Sequence, residues 1–221
     1  MVQRGRYGAV VVVTVVLAML GLADPASAQP ERHTTFDRED AFAEFVIPTG
    51  GCDAARTVVQ VSVLHNAFRE LPAPPARQVL AGVSISEFDC DGQFVFSAEG
   101  GVDPGVPFDV RGALAAATVD LTVQVCQTVP EPGDCFPVVI DLEFTGTGPV
   151  ARDRQTDRVD EPDCKIIVTT STAVRAADVE GTISFLGRTL TVSSADLTQA
   201  GANLSSESSH TLQLGSGCIE R

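Results

Sequence analysis

Thr118-Val119-Asp120-Leu121-Thr122-Val123-Gln124-Val125, followed by Val138-Val139-Ile140-Asp141-Leu142-Glu143-Phe144, is the stretch that decides the fold. In the first run Val119, Leu121, Val123 and Val125 share one side; in the second Val138, Ile140, Leu142 and Phe144 do the same. Asp120, Thr122, Gln124, Asp141 and Glu143 fall on the opposite sides. A period of two is the repeat of a β-strand with one face packed and one face in water. The connector Gln127 to Asp134 carries Pro130, Pro132 and Gly133 and is bracketed by Cys126 and Cys135. An antiparallel hairpin clamped by its own disulfide is therefore expected.

The same signature recurs on both sides of this hairpin. Val59, Val61 and Val63 alternate with Gln60 and Ser62 within Thr57 to Leu64. Val79 to Phe88 and Gln93 to Ala98 flank Asp89-Cys90-Asp91-Gly92, where Asp and Gly supply the conformations of a tight reversal. Ile166 to Val174, Val179 to Phe185, Thr189 to Ser193 and His210 to Leu214 are further strands, with Gly187-Arg188 as a two-residue turn. Asn66 to Gln78 and Gly146 to Asp163 read as long loops, and Leu197 to Thr211 as a plain edge. No segment carries an apolar stripe of helical period, and the Ala-rich Gly112 to Thr118 runs straight into a strand. About eight to ten strands separated by turns predict an antiparallel all-β sandwich, with a barrel as the alternative. A single domain over residues 43–221 is expected.

The first residues set the compartment. Arg4 and Arg6 precede an apolar run from Gly8 to Leu22, and Ala26-Ser27-Ala28 has the small-x-small form of a cleavage site. Residues 1–28 read as a secretory signal, with the mature chain beginning at Gln29 and a polar leader over 29–42. The apolar run falls short of the roughly 20 residues that span a bilayer, so no membrane insertion is expected after cleavage. All six cysteines lie beyond the cut, an even set sent to a place where disulfides persist. Antiparallel neighbours bring the start of one strand beside the end of the next. The pairs preferred on that ground are Cys52 with Cys90, Cys126 with Cys135, and Cys164 with Cys218, each contributing about 2–4 kcal/mol.

Two short segments carry a family likeness. Ile140-Asp141-Leu142-Glu143-Phe144-Thr145-Gly146-Thr147-Gly148-Pro149, with Ala43-Glu44-Phe45-Val46-Ile47 upstream, resembles a loose group of secreted bacterial β-rich proteins without an assigned activity. The resemblance implies a secreted β domain and transfers no function.

The chemistry that the residues allow is narrow. A net charge of −14 argues against nucleic acid as a partner, because phosphate binding rests on Lys and Arg. Met1, Tyr7 and Met19 fall within the signal and the chain has no Trp, so Phe supplies all aromatic surface of the mature form. Asp153, Asp157, Asp160, Glu161 and Asp163 are close in sequence, and oxygen ligands at close spacing suit Ca²⁺; Asp157, Asp160 and Asp163 are the candidate metal ligands. Arg152, Arg154 and Arg158 are interleaved with them, which repels a cation and fits a self-compensating solvated loop. Asp89-Cys90-Asp91-Gly92 lacks the remaining ligands of an EF-hand loop. His33, His65 and His210 show no metal spacing and read as leader and strand-end residues. No Gly-x-Ser-x-Gly elbow is present, since Gly82-Val83-Ser84-Ile85-Ser86 lacks the second Gly. No catalytic or cofactor-binding residue is assigned. The expectation is a secreted binding or structural module without catalytic activity, its partner an extracellular ligand or protein. A calcium-dependent adhesion domain and a carboxylate-dependent hydrolase are the alternatives.

Overall fold

A computed structural model describes residues 31–102, 108–161, 164–194, 200–215 and 218; the expected signal, residues 1–28, lies outside them. The described residues form β1 (Glu31–Pro48), β2 (Arg56–Glu70), β3 (Ala76–Phe88), β4 (Phe94–Val102), β5 (Val110–Arg111), β6 (Ala116–Val129), β7 (Cys135–Gly146), β8 (Ala151–Glu161), β9 (Cys164–Phe185), β10 (Arg188–Ser193) and β11 (Ala200–Leu214). Every ladder is antiparallel and all belong to one sheet.

The β6–β7 hairpin is the one its alternation implies. Val119, Val123 and Val125 face Leu142, Val138 and Phe136 across or beside the ladder, and Val123, Val125, Val138, Ile140 and Leu142 are fully buried. Cys126 sits opposite Cys135 in register, and the two are bonded. The other disulfides join Cys52 to Cys90 and Cys164 to Cys218, as preferred from strand geometry.

Following the ladders from strand to strand traces a circuit: β9, β11, β1, β2, β3, β4, β6, β7 and back to β9. The two layers expected of a sandwich are thus supplied by one sheet curled over a shared core. Phe45, Val59, Val61, Ile85, Val123, Ile140, Ile183 and Leu204 all belong to that single cluster. Closure depends on β9, which divides its length between partners. Its residues 165–176 pair β11, and residues 177–184 pair β7. β7 and β8 follow one another along β9, and the Thr147 amide donates to the Ala176 carbonyl between them.

Two glycines permit the seams. A methyl group on Gly100 would press into the carbonyl of Gln124, where β4 meets β6, and one on Gly181 into the carbonyl of Asp141, where β7 meets β9. Only a residue without a side chain lets the backbones approach so closely.

Past the core the long strands continue as an open six-stranded extension, in the order β8, β9, β11, β1, β2, β3. Of its residues, those of β8 are exposed throughout, and β1 is buried only from Ala41 onward. β5 and the residues flanking it add buried Phe108, Val110 and Leu114 to the core cluster, and the Val110 amide donates to Glu39 Oε2.

Several sequence expectations are corrected. Residues 31–42 are not a leader but the first part of β1, paired with β11 throughout and with β2 from Thr34 onward. Gly146 to Asp163 contains β8, and Asn66 to Gln78 narrows to a short turn between β2 and β3. The two strands expected over 166–185 are one, β9. The turn after it is Leu186-Gly187, both with positive φ, one residue earlier than expected. β11 is interior rather than an edge, with Leu204 fully buried between β9 and β1.

Candidate functional site

The extension has two faces, and the register assigns every residue to one of them. Ala41 opposite Leu204 marks the core side, so Asp37 and Glu39 of β1 continue that inner face. Asp37 lies in a row with Ser208, Ser171 and Arg154, and Glu39 in the next row with Ser206, Ala173 and Arg152. Between these rows runs a trough of about 550 Å³. Its floor is backbone of β1, β11, β9 and β8, exposed because the four middle side chains are only Ser or Ala.

The trough is lined by small and charged side chains and differs at its ends. One end carries the Asp37 and Glu39 carboxylates, the other the Arg152 and Arg154 guanidiniums. Three strand spacings separate β1 from β8, about 14 Å between Cα atoms. Glu39 is held by the Val110 amide and lies 3.9 Å from His65 Nδ1. The side chains of Asp37, Arg152 and Arg154 make no ion pair or hydrogen bond with the described residues. A second hollow of about 260 Å³ adjoins the Glu39 row and is walled by Val110, Ala113, Leu114 and Val150.

The outer face carries a different cluster. Arg38 donates two hydrogen bonds to Asp40, at 2.8 and 2.9 Å, and Ser205 Oγ lies 3.2 Å from the same carboxylate. The bond to Asp40 raises the Arg38 pKa, partial burial opposes the rise, and the charges of Asp40 and Glu207 add to it.

The candidate calcium ligands are not brought together. On a strand, neighbouring residues of opposite parity face opposite ways, so Asp157 lies on the outer face and Asp160 on the inner. Asp157 accepts from Gln155 Nε2 at 3.0 Å, and Asp160 pairs with Lys165 at 3.4 Å. Asp163 lies outside the described residues. Among the described residues no three His, Cys, Asp or Glu side chains are grouped to hold a metal. Asp89 acts as a turn residue, its Oδ1 accepting from the Asp91 and Gln93 amides. The three histidines are corrected from leader and strand-end positions to the interiors of β1, β2 and β11.

The arginines of the trough were legible as charges but not as a site. Arg152, Arg154 and Arg158 alternate with Asp153 and Asp157 at a period of two, which is the strand repeat written in charge rather than hydropathy.

No family model matches the chain, and no curated protein matches it. One solved structure is similar, that of a protein named as a candidate AttH from Nitrosomonas europaea, at 12% identity and a TM-score of 0.34. The match covers 83% of this chain and 52% of the other, so the chain spans about half of that protein's length.

Proposed function

We propose that this chain is a secreted, disulfide-held binding module that takes a small polar ligand in the trough between β1 and β8. The trough itself carries this reading: four small side chains on its two middle strands open a floor, and charges stand at both ends, those of Asp37, Arg152 and Arg154 without a partner among the described residues. A small-ligand site is a concavity in which a few placed polar groups, backbone amides and carbonyls among them, fix the ligand's orientation. Three disulfides are consistent with an oxidising location and hold the sheet on which the trough is built. Rigid strands position such a site more sharply than loops do.

The test fills the trough. Ser171→Trp places a large ring on its floor without touching the core. Binding of a panel of short peptides, oligosaccharides and zwitterionic metabolites is followed by saturation-transfer NMR on wild type and variant. The expected result is that at least one class binds wild type and is lost in the variant at unchanged melting temperature. Equal binding by both proteins, or none by wild type, overturns the reading. Secretion is checked separately by N-terminal sequencing of the exported protein, which should begin at Gln29.

A further inference from the structure

We infer that the trough selects a zwitterion of tripeptide length, a short peptide with both termini free and an apolar residue in the middle. The inference rests on the binding-module reading and adds the ligand class to it.

The ends of the trough decide the charge. A ligand that is only anionic meets Asp37 and Glu39 in a chain of net charge −14, and one that is only cationic meets Arg152 and Arg154. A ligand with an ammonium at one end and a carboxylate at the other satisfies both. Arg is suited to the carboxylate because its planar fork offers two parallel donors.

The span decides the length. About 14 Å separates the two strands, side chains stand roughly perpendicular to a sheet, and a charge-assisted contact of about 2.8 Å at each end leaves about 8 Å for the ligand to span. Three extended residues at about 3.3 Å each cover that distance. The middle decides the backbone and the side chain. Ser171, Ser206 and Ser208 present hydroxyls without a partner among the described residues, which suit amide groups rather than an alkyl chain. The adjoining hollow, walled by Val110, Ala113, Leu114 and Val150, receives one apolar side chain from the centre of the ligand.

The experiment titrates the ¹⁵N-labelled full disulfide-bonded protein with Ala-Leu-Ala in four forms: both termini free, N-acetylated, C-amidated, and doubly capped. Amide shifts at Ser171, Ala173, Ser206 and Ser208 locate the binding. Each cap is expected to weaken affinity about fivefold, the discrimination of one solvent-exposed charge-assisted contact. Arg154→Gln should reduce the sensitivity to the C-terminal cap alone and Arg152→Gln with it should remove it, while Asp37→Asn should reduce the sensitivity to the N-terminal cap alone. All three residues are exposed, so none of these variants threatens the fold. Equal affinity for free and doubly capped peptide, with shifts still in the trough, overturns the zwitterion and leaves the trough as a binding site. Absence of shifts with all four peptides also overturns it, and the panel on Ser171→Trp then decides the broader reading by itself.

Discussion

Gly100→Ala should open the seam at which the sheet circuit is joined. β4 and β6 are held there by three residue pairs, Ser97 with Val129, Ala98 with Gln127 and Glu99 with Cys126, with an irregularity among them. The added methyl group meets the carbonyl of Gln124 and the Cα of Val125, both backbone, so no side chain can swing aside. Overpacking of this kind costs about 1–3 kcal/mol. Parting the strands also weakens about two ladder hydrogen bonds, at about 1 kcal/mol each. The conformational gain of Ala over Gly in a strand returns about 0.5–1 kcal/mol. The net is a loss of about 3 kcal/mol, or a fall in melting temperature of about 6–12 °C for a chain of this size. Gly201→Ala is the control: its methyl group meets nothing within 4 Å, and it should be neutral or stabilise by up to about 1 kcal/mol. Far-UV circular dichroism in urea and in a thermal scan reads both, since the chain has no Trp for fluorescence. If Gly100→Ala melts within 2 °C of Gly201→Ala, the seam tolerates separation and the circuit is not what stabilises this sheet.

Removing Cys164–Cys218, with a separation of 54 residues, should cost about 4 kcal/mol, and removing Cys126–Cys135, with a separation of 9, about 2.5 kcal/mol; urea midpoints of the paired Cys→Ser variants give the order. Neutralising the free edge of β8 with Asp153→Val, Asp157→Val and Arg158→Val should make the protein associate with rising concentration in light scattering, because alternating charge is what keeps an open edge from pairing. Arg38→Gln should lower stability by about 0.5–1 kcal/mol, a figure already reduced for solvent screening of a partly exposed pair. The Arg38 pKa is raised, so its contribution is complete below its ordinary value and is lost only as pH climbs through the raised one; the deficit should be the same at pH 6 and pH 9. Calcium against chelator should shift the calorimetric melting temperature by less than about 1 °C, since Asp157 and Asp160 face opposite sides of β8; a rise of several degrees would point to a native-state site elsewhere.

What could be read from the sequence follows where water meets only one face of a strand. β6, β7 and the core half of β2 alternate apolar and polar residues because one side is packed, and their placement was legible for that reason. The first half of β1 and the whole of β8 have no such contrast: neither face is buried, so hydropathy carries no period there. β8 does alternate, in the sign of its charge, and a loop and a charge-striped edge strand look alike until parity is counted. β9 reads as two strands because the charged Arg175 and Asp178 and the small Ala176-Ala177 between them break the β-branched run where the strand passes from one set of partners to another. The three disulfides could be anticipated because each bridges strand ends that antiparallel pairing brings together. The trough could not, since its two rows draw on residues near 38, 153, 172 and 207 whose adjacency is created only by the ladders. Ser171, Ala173, Ser206 and Ser208 are unremarkable in the chain, and their importance lies in being small side by side.

The pairing of β1 with β11 also governs the order in which the molecule can be built. Glu31 lies opposite Leu214 and Phe45 opposite Ala200, so β1 acquires one of its two neighbours only after residues 200–214 have been made. Until then β1 exposes a row of unsatisfied amides and carbonyls to any other extended segment nearby. Contacts this distant in sequence also slow the search for the native arrangement. The growing sheet therefore stays open beside β1 until β11 arrives, and that interval is when misassembly threatens it most.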